Sequence, residues 1–408
     1  MDARGPARAP RPLLLRQAHL VDGRTVDVRV TDGLIAAVAD HLSAETDDDI
    51  IDLAGHLLVA APIEPHAHLD KALTADRVLN SSGDLKGAVA AWHAYRPQLS
   101  VDDIAERAER AARMMLTNGI TAIRTHVDVS DDVGTRGIEA LARVKQALAG
   151  LVDLQVVALV SLPTSGRDGD GNRAALRDAM DAGADVVGGC PHLDPDPLAC
   201  LDVCSSLATE LGRPLDLHTD EHLDPEHLDL RDLAAWRRAT GFDLPTVASH
   251  CVSLGVQDIG TQQKVAVEVA EAGVAVVTLP QTNLFLQGRN HRTAMPRGLT
   301  ALRPLLEAGV TLAAGADNLQ DPFNLMGRGD PFETASLLVS AGHLSPSEAW
   351  HAVTAGARSA LGLPPVSVAV GSPAELLAVR ASTLREAMAF APPARVVIHR
   401  GVIVSGRP

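Results

Sequence analysis

Residues 57–71 read LLVAAPIEPHAHLDK: an apolar run up to Pro62 of the kind that forms a buried strand, delivering the polar segment Glu64-Pro65-His66-Ala67-His68-Leu69-Asp70-Lys71. Histidines at i and i+2 of an extended segment point to the same side and can grip one metal ion. Seven further β-like runs follow, at Ile120–Thr125, Leu154–Val160, Asp185–Gly188, Leu215–His218, Thr246–His250, Val274–Leu279 and Thr311–Gly315. Helical stretches separate them. In one, Ile104, Ala108, Ala111, Ala112, Met115 and Leu116 fall on a single face, and Asn118-Gly119 ends it. Strand–helix alternation repeated eight times over roughly 300 residues predicts an α/β fold, a (β/α)8 TIM-like barrel spanning residues 59–365, with a doubly wound open sheet as its rival. After the eighth unit, Ser345-Pro346-Ser347-Glu348 is a capping box that opens a further helix through Trp350 and Val353.

Outward from the barrel the pattern changes. From Leu13 to Leu58 short apolar runs alternate with turn signals at Val21-Asp22-Gly23 and Thr31-Asp32-Gly33, which predicts β-hairpins. Glu375–Val379 and Ala394–Val404 read the same way, the latter turning at Arg400-Gly401. Residues 13–58 and 366–408 are therefore expected to build one small β-sandwich domain from both termini. Residues 1–12, rich in Arg, Pro, Ala and Gly, are expected to form a disordered tail.

Composition excludes several classes of function. The chain carries 36 basic and 51 acidic residues, a net charge of −15, which repels polyanions at long range. Its nine aromatic residues provide few stacking platforms for single-stranded nucleic acid. No apolar stretch approaches the ~18 residues of a membrane span, and the three leucines after the basic N-terminus are too few for a signal peptide. Four cysteines, Cys190, Cys200, Cys204 and Cys251, fit a reducing compartment. Cys200 and Cys204, one helical turn apart without further partners, read as a buried face, not a zinc site. Neither GxSxG nor a Gly-rich phosphate loop occurs, which argues against a serine hydrolase and an NTPase. The expectation is a cytoplasmic protein acting on a small molecule, without nucleic-acid or membrane partners; a homo-oligomer remains open.

Barrel chemistry sits at the C-terminal ends of the strands. The fifth predicted strand ends at His218, the sixth at His250, and Asp317 follows the eighth. His66, His68, His218 and Asp317 together make a hard-to-borderline donor set for Zn²⁺ or Fe²⁺. His126 and His192, read as ending strands two and four, are candidates for the pocket border. His222 and His227 read as loop and helix-surface residues.

These spaced motifs resemble the amidohydrolase superfamily, within it the branch of cytosine deaminase and N-isopropylammelide amidohydrolase. EPHAHLDK (64–71), DLHTDE (216–221), VASH (247–250) and GADNLQDPF (315–323) are similar to its strand-end motifs, and LFLQGR (284–289), with Gln287, to its segment after strand seven. The resemblance implies one divalent metal on His66, His68, His218 and Asp317, and hydrolysis of a C–N bond in a small nitrogen heterocycle or cyclic amide. Release of ammonia or an amine is the principal reading; a ring-opening cyclic amidase is the alternative, and an inactive binding protein a remote one. It further implies that His250 orients the attacking water or the developing oxyanion, that Glu221 shuttles protons, and that Asp317 can take the proton of that water. Binuclear relatives bridge two ions with a lysine at the end of strand four. None of the four lysines here, Lys71, Lys86, Lys145 and Lys264, lies there.

Three positions depart from cytosine deaminase. Asn318 stands where it has a second aspartate, Ser161 or a neighbour replaces a substrate-binding glutamine, and Lys71 matches a lysine of the ammelide enzyme with a proposed catalytic role. The alternative for Lys71 is an ion pair with Asp70 or a loop carboxylate. Phe323 takes the place of an aromatic wall beside the ring.

Overall fold

The computed structural model describes residues 11–407, so the expected tail falls outside the described residues except for Arg11 and Pro12. The chain opens with β1 (Leu13–His19), β2 (Thr25–Thr31), β3 (Leu34–Ala39), β4 (Asp49–Asp52) and β5 (Leu57–Ala60). Eight strands follow: β6 (Glu64–Ala67), β7 (Ala122–Val129), β8 (Asp153–Val160), β9 (Val186–Gly189), β10 (Leu215–Thr219), β11 (Thr246–His250), β12 (Ala275–Thr278) and β13 (Leu312–Ala314). They pair in sequence order, each parallel to its neighbour, with helices between. The ends of the sheet meet where Ala67 bridges Asp317: Asp317 N–H donates to the His66 carbonyl at 3.0 Å and His68 N–H to the Asp317 carbonyl at 3.3 Å. The predicted (β/α)8 barrel is thus the observed one, and its seam lies at the metal-competent residues.

One expected strand belongs elsewhere. Leu57–Ala60, read above as the first barrel strand, pairs antiparallel with β14 (Leu376–Val379), and the barrel begins instead at β6. The run is apolar at every position because both its faces are covered. Leu57 and Val59 join the barrel core and Leu58 the core of the terminal sheet. In β14 the same alternation sends Leu377 and Val379 to the barrel and Leu376 and Ala378 the other way, as the two-residue period of a strand requires.

With β15 (Arg395–His399) and β16 (Val402–Ser405), the terminal strands form one mostly antiparallel sheet in the order β16-β15-β14-β5-β1-β2-β3, β4 flanking β1. The sheet curls on itself. The turn Asp32-Gly33 meets the turn Arg400-Gly401, so that a Cβ on Gly401 would lie 2.8 Å from the Gly33 Cα. All four turn residues have positive φ (51°, 77°, 50° and 78°), as two-residue hairpins with the twist of their strands demand. Arg395 ties this sheet to the barrel through a buried bidentate pair with Asp330, at 2.9 and 2.8 Å.

The helix Val101–Thr117 buries all six of the predicted face residues. Ser100 caps it by accepting from the Asp103 N–H, and Gly119 (φ 104°) lets the chain leave against Leu377, where a Cβ would lie 2.9 Å away. The capping box at Ser345 and Glu348 is formed on both sides. Among the described residues no helix is long and apolar enough to cross a membrane.

Candidate active site

At the C-terminal mouth of the barrel lies a cavity of about 110 Å³, with His68, His218, Glu221, His250 and Asp317 in its lining. The strand pleat and the closing seam bring the ligand candidates together. His68 Nε2 lies 3.1 Å from His218 Nε2 and 3.4 Å from Asp317 Oδ1, which is 3.7 Å from His66 Nε2. Donors arranged tetrahedrally around an ion at 2.0–2.1 Å stand ~3.3 Å apart. Neither Asp317 oxygen, nor His66 Nε2, nor His250 Nε2 has a hydrogen-bond partner, and all these residues are buried. Buried polar atoms are ordinarily paired, so four such orphans facing one point fit a bound cation. Two site residues are also held in the left-handed region, His250 at φ 71° and Asp317 at φ 64°. That backbone costs a few kcal/mol and persists only where surrounding contacts fix it. For Asp317 these contacts are the seam bonds. Glu64 supports the same corner by accepting from the N–H groups of His66 (3.1 Å) and Ala316 (2.9 Å), and Gly315 leaves room for its carboxylate, which a side chain there would strike.

Burial, reinforced by the surrounding imidazoles and cations, holds His66, His68 and His218 well below the usual histidine pKa, so they are neutral and able to ligate. Burial pushes Asp317 well above the carboxylate range, and Glu221 and Asp321 add to this; a cation in the cluster would act in the opposite direction. Burial alone raises Glu221 to about 8. Its Oε1 lies 3.5 Å from His250 Nδ1, and the Asn283 amide bridges the two, at 3.4 Å from Glu221 Oε1 and 3.1 Å from His250 Nδ1.

The opposite wall is built of paired charges around Asp128. Lys71 Nζ donates to Asp128 Oδ1 at 2.6 Å and to Asp70 Oδ2 at 3.3 Å; its approach to His68 Nδ1, at 3.4 Å, is longer than an ordinary N–H bond. Trp92 Nε1 donates to Asp128 Oδ2 at 2.7 Å, with Arg96 Nη1 at 3.4 Å from the same oxygen. Burial disfavours the Lys71 charge, but the two carboxylates outweigh it and raise its pKa. Burial likewise opposes ionisation of Asp128, and Lys71 and Arg96 prevail, holding it down to about 2. Ser161 lines the cavity and accepts from Arg96 Nη1 at 2.8 Å. Asn318 and Phe323 line it as well, Asn318 bonded to Asp321 (2.9 Å) and Thr282 (3.3 Å).

Other candidates stand apart. Gln287 is outside the cavity lining and donates to the Glu221 carbonyl at 3.1 Å. His126 lies inside β7 rather than at its end, stacked on His66 with ring centroids 3.9 Å apart. His192 sits behind His218, its Nδ1 3.2 Å from the His218 carbonyl. Cys200 and Cys204 are buried, as expected. The residues that sequence reasoning missed are Asp128, Trp92, Arg96 and Asn283. A signal existed for Asp128: Arg124, His126 and Asp128 alternate along one face of β7.

Fold and site define a class, the metal-dependent (β/α)8 hydrolases. The sequence profile of the amidohydrolase family matches residues 85–408, and the chain belongs to that family as an enzyme that hydrolyses C–N bonds. A pterin deaminase of Rhizobium rhizogenes is 33% identical over 383 residues, covering 93% of this chain and 87% of that protein. The solved 5-methylcytosine deaminase of Klebsiella pneumoniae, liganded with 5-fluorocytosine, is 29% identical with a TM-score of 0.87 over 97% of this chain and 98% of its own. The N-isopropylammelide isopropylaminohydrolase of Burkholderia multivorans is 29% identical with a TM-score of 0.85, covering 98% and 99%.

Proposed function

We propose that this enzyme releases ammonia or an amine from a small amino-substituted nitrogen heterocycle, using one divalent ion, Zn²⁺ or Fe²⁺, held by His66, His68, His218 and Asp317. The observation that carries the reading is the clustering of donor atoms, His66 with His68 and His218, and His66 with His250 and Asp317, each set within 4.8 Å, beneath a cavity that Glu221 also lines. When bound, such an ion is a Lewis acid that brings the pKa of water from 15.7 towards ~7. The protein supplies the rest. Glu221, with a pKa near the working pH, can hold a proton or release it, which suits delivery first to a ring nitrogen and then to the departing amine. His250 is neutral, with Nδ1 engaged by Asn283 and Nε2 free, and so can orient the attacking oxygen. Asp317 can receive a proton from it.

Lys71 does not offer a free cation to substrate, because Asp128 and Asp70 neutralise it; it acts as part of the cavity wall. Asn318 retains one amide hydrogen and one lone pair for the ring, Phe323 an aromatic face, and Ser161 a hydroxyl. Relatives that act on pterin, 5-methylcytosine and N-isopropylammelide direct the choice of substrates. The four cysteines are unpaired, which supports a cytoplasmic setting. The test is a panel of aminopyrimidines, aminotriazines, pterins and cyclic ureas assayed for amine release, with elemental analysis of the purified protein. About one equivalent of Zn²⁺ or Fe²⁺ and amine release from one class is the expected result. Metal-free protein whose activity ignores chelators, or ring opening without amine release, overturns it.

A further inference from the structure

Beneath the cavity floor, His66 Nδ1 lies 2.9 Å from Ser249 Oγ, Ser249 Oγ donates to Asp216 Oδ1 at 3.3 Å, and Arg124 Nη1 donates to Asp216 Oδ2 at 2.8 Å. Arg124 is itself held by Gln155 Oε1, at 3.0 Å from Nε and 2.8 Å from Nη2. All four residues from His66 to Arg124 are fully buried.

The chemistry of the groups sets that direction. A guanidinium only donates, and a carboxylate paired with it only accepts. The single hydroxyl proton of Ser249 therefore goes to Asp216, and its oxygen must accept from His66 Nδ1–H. A neutral imidazole with its proton on Nδ1 has its lone pair on Nε2, the atom that faces Asp317. His126, stacked on the His66 ring, holds its plane.

We propose that Arg124, Asp216 and Ser249 form a buried one-way relay that locks His66 in the ligating tautomer, making them positioning residues for the metal. The proposal rests on the reading of His66 as a ligand. It makes Asp216 and Ser249 matter through different routes. Ser249→Ala removes the lock and leaves His66 free to take either tautomer. Asp216→Asn reverses it: the amide oxygen stays on Arg124, the amide N–H faces Ser249, and the hydroxyl proton turns towards His66 Nδ1. That stabilises the tautomer whose Nε2 is protonated and cannot ligate.

The experiment measures Zn²⁺, Co²⁺ and Fe²⁺ affinity by chelator competition, and the visible spectrum of the Co²⁺ protein, for wild type, Ser249→Ala, Ser249→Thr and Asp216→Asn, each checked for folding by circular dichroism. Loss of an outer partner of a metal-ligating histidine costs about 10–100-fold in affinity. We expect about tenfold for Ser249→Ala, a larger loss for Asp216→Asn, recovery towards wild type in Ser249→Thr, and a changed Co²⁺ spectrum in the two weakened variants. Were Asp216→Asn unfolded, Ser249→Ala alone would decide. Affinity within twofold of wild type in Ser249→Ala overturns the relay while leaving the proposed function intact, and a wild type that binds none of Zn²⁺, Co²⁺ and Fe²⁺ overturns both.

Discussion

The two sides of the cavity carry similar residue types and opposite electrostatics. On the floor, Glu221 and Asp317 are buried carboxyls without a cation, raised out of the carboxylate range, beside imidazoles with unpaired nitrogens. On the wall, Asp128 is a partly buried carboxyl, its side chain 14% exposed, yet Lys71, Trp92 and Arg96 occupy its oxygens and hold it at about 2. Most buried polar groups in a folded chain are paired, so a concentration of unpaired ones at one place calls for an explanation. On the proposed function the floor is where chemistry occurs, and the wall is a support in which both oxygens of Asp128 are engaged.

The strongest way to break this contrast is at the floor. Asp317→Asn should reduce bound metal from about one equivalent to a small fraction, and turnover by ~10³-fold or more, since water then loses its activation; elemental analysis and steady-state kinetics check it. Unchanged metal content would place the ion elsewhere. Glu221→Gln should keep metal and fold while kcat falls by ~10²–10⁴, the scale of a general acid–base group. Near-normal turnover would shift the proton shuttle to Asp317.

Much of the floor was legible in the sequence because strands present their ends in a fixed way: His66 and His68 by their two-residue spacing, His218 and His250 as last polar residues of apolar runs. The wall was not. The second barrel strand reads as ending at Thr125 but runs to Val129, so Asp128 looked like a loop residue rather than a continuation of the face bearing Arg124 and His126. Trp92 and Arg96 come from the helix Leu85–Tyr95 and the turn after it, inside the long connection after β6, and only tertiary folding sets them against Asp128. Leu57–Ala60 was misplaced because a run buried on both faces carries no period to say which sheet owns it. Gln287 fell in a motif-like segment, yet its amide serves the Glu221 backbone.

The wall should respond in stability. Asp128→Asn leaves Lys71 with Asp70 alone, at 3.3 Å, so the cost should be about 2 kcal/mol, below that of a buried ion fully stranded. Denaturant unfolding at neutral pH measures it, with bound metal unchanged. The sign of the pH dependence follows from the depressed pKa. An unfolded aspartate titrates near ~3.9 and the folded Asp128 at about 2, so the unfolded chain takes up the proton first. The stabilisation from Asp128 is complete above pH ~4 and is lost as pH falls towards 2. A wild type and variant that differ equally at pH 7 and pH 2.5 would show that Asp128 is not held by its cations.

The smallest expected effect lies where floor and wall meet the ring. Where cytosine deaminase has a second aspartate, Asn318 offers a neutral amide, part of it tied to Asp321 and Thr282, that both donates and accepts. A carboxylate there favours a ring that presents a proton; the amide also tolerates a carbonyl. With Lys71 neutralised by its carboxylates, no free cation selects for anionic rings, so the preference rests on the amide alone and should be modest. Oxo-rich or N-substituted amino heterocycles should exceed cytosine by about tenfold in kcat/KM, ~1.4 kcal/mol in transition-state binding. Asn318→Asp should narrow that ratio and leave metal content unchanged. Cytosine turned over faster than every oxo-rich analogue by the wild type would show that Asn318 does not set the choice.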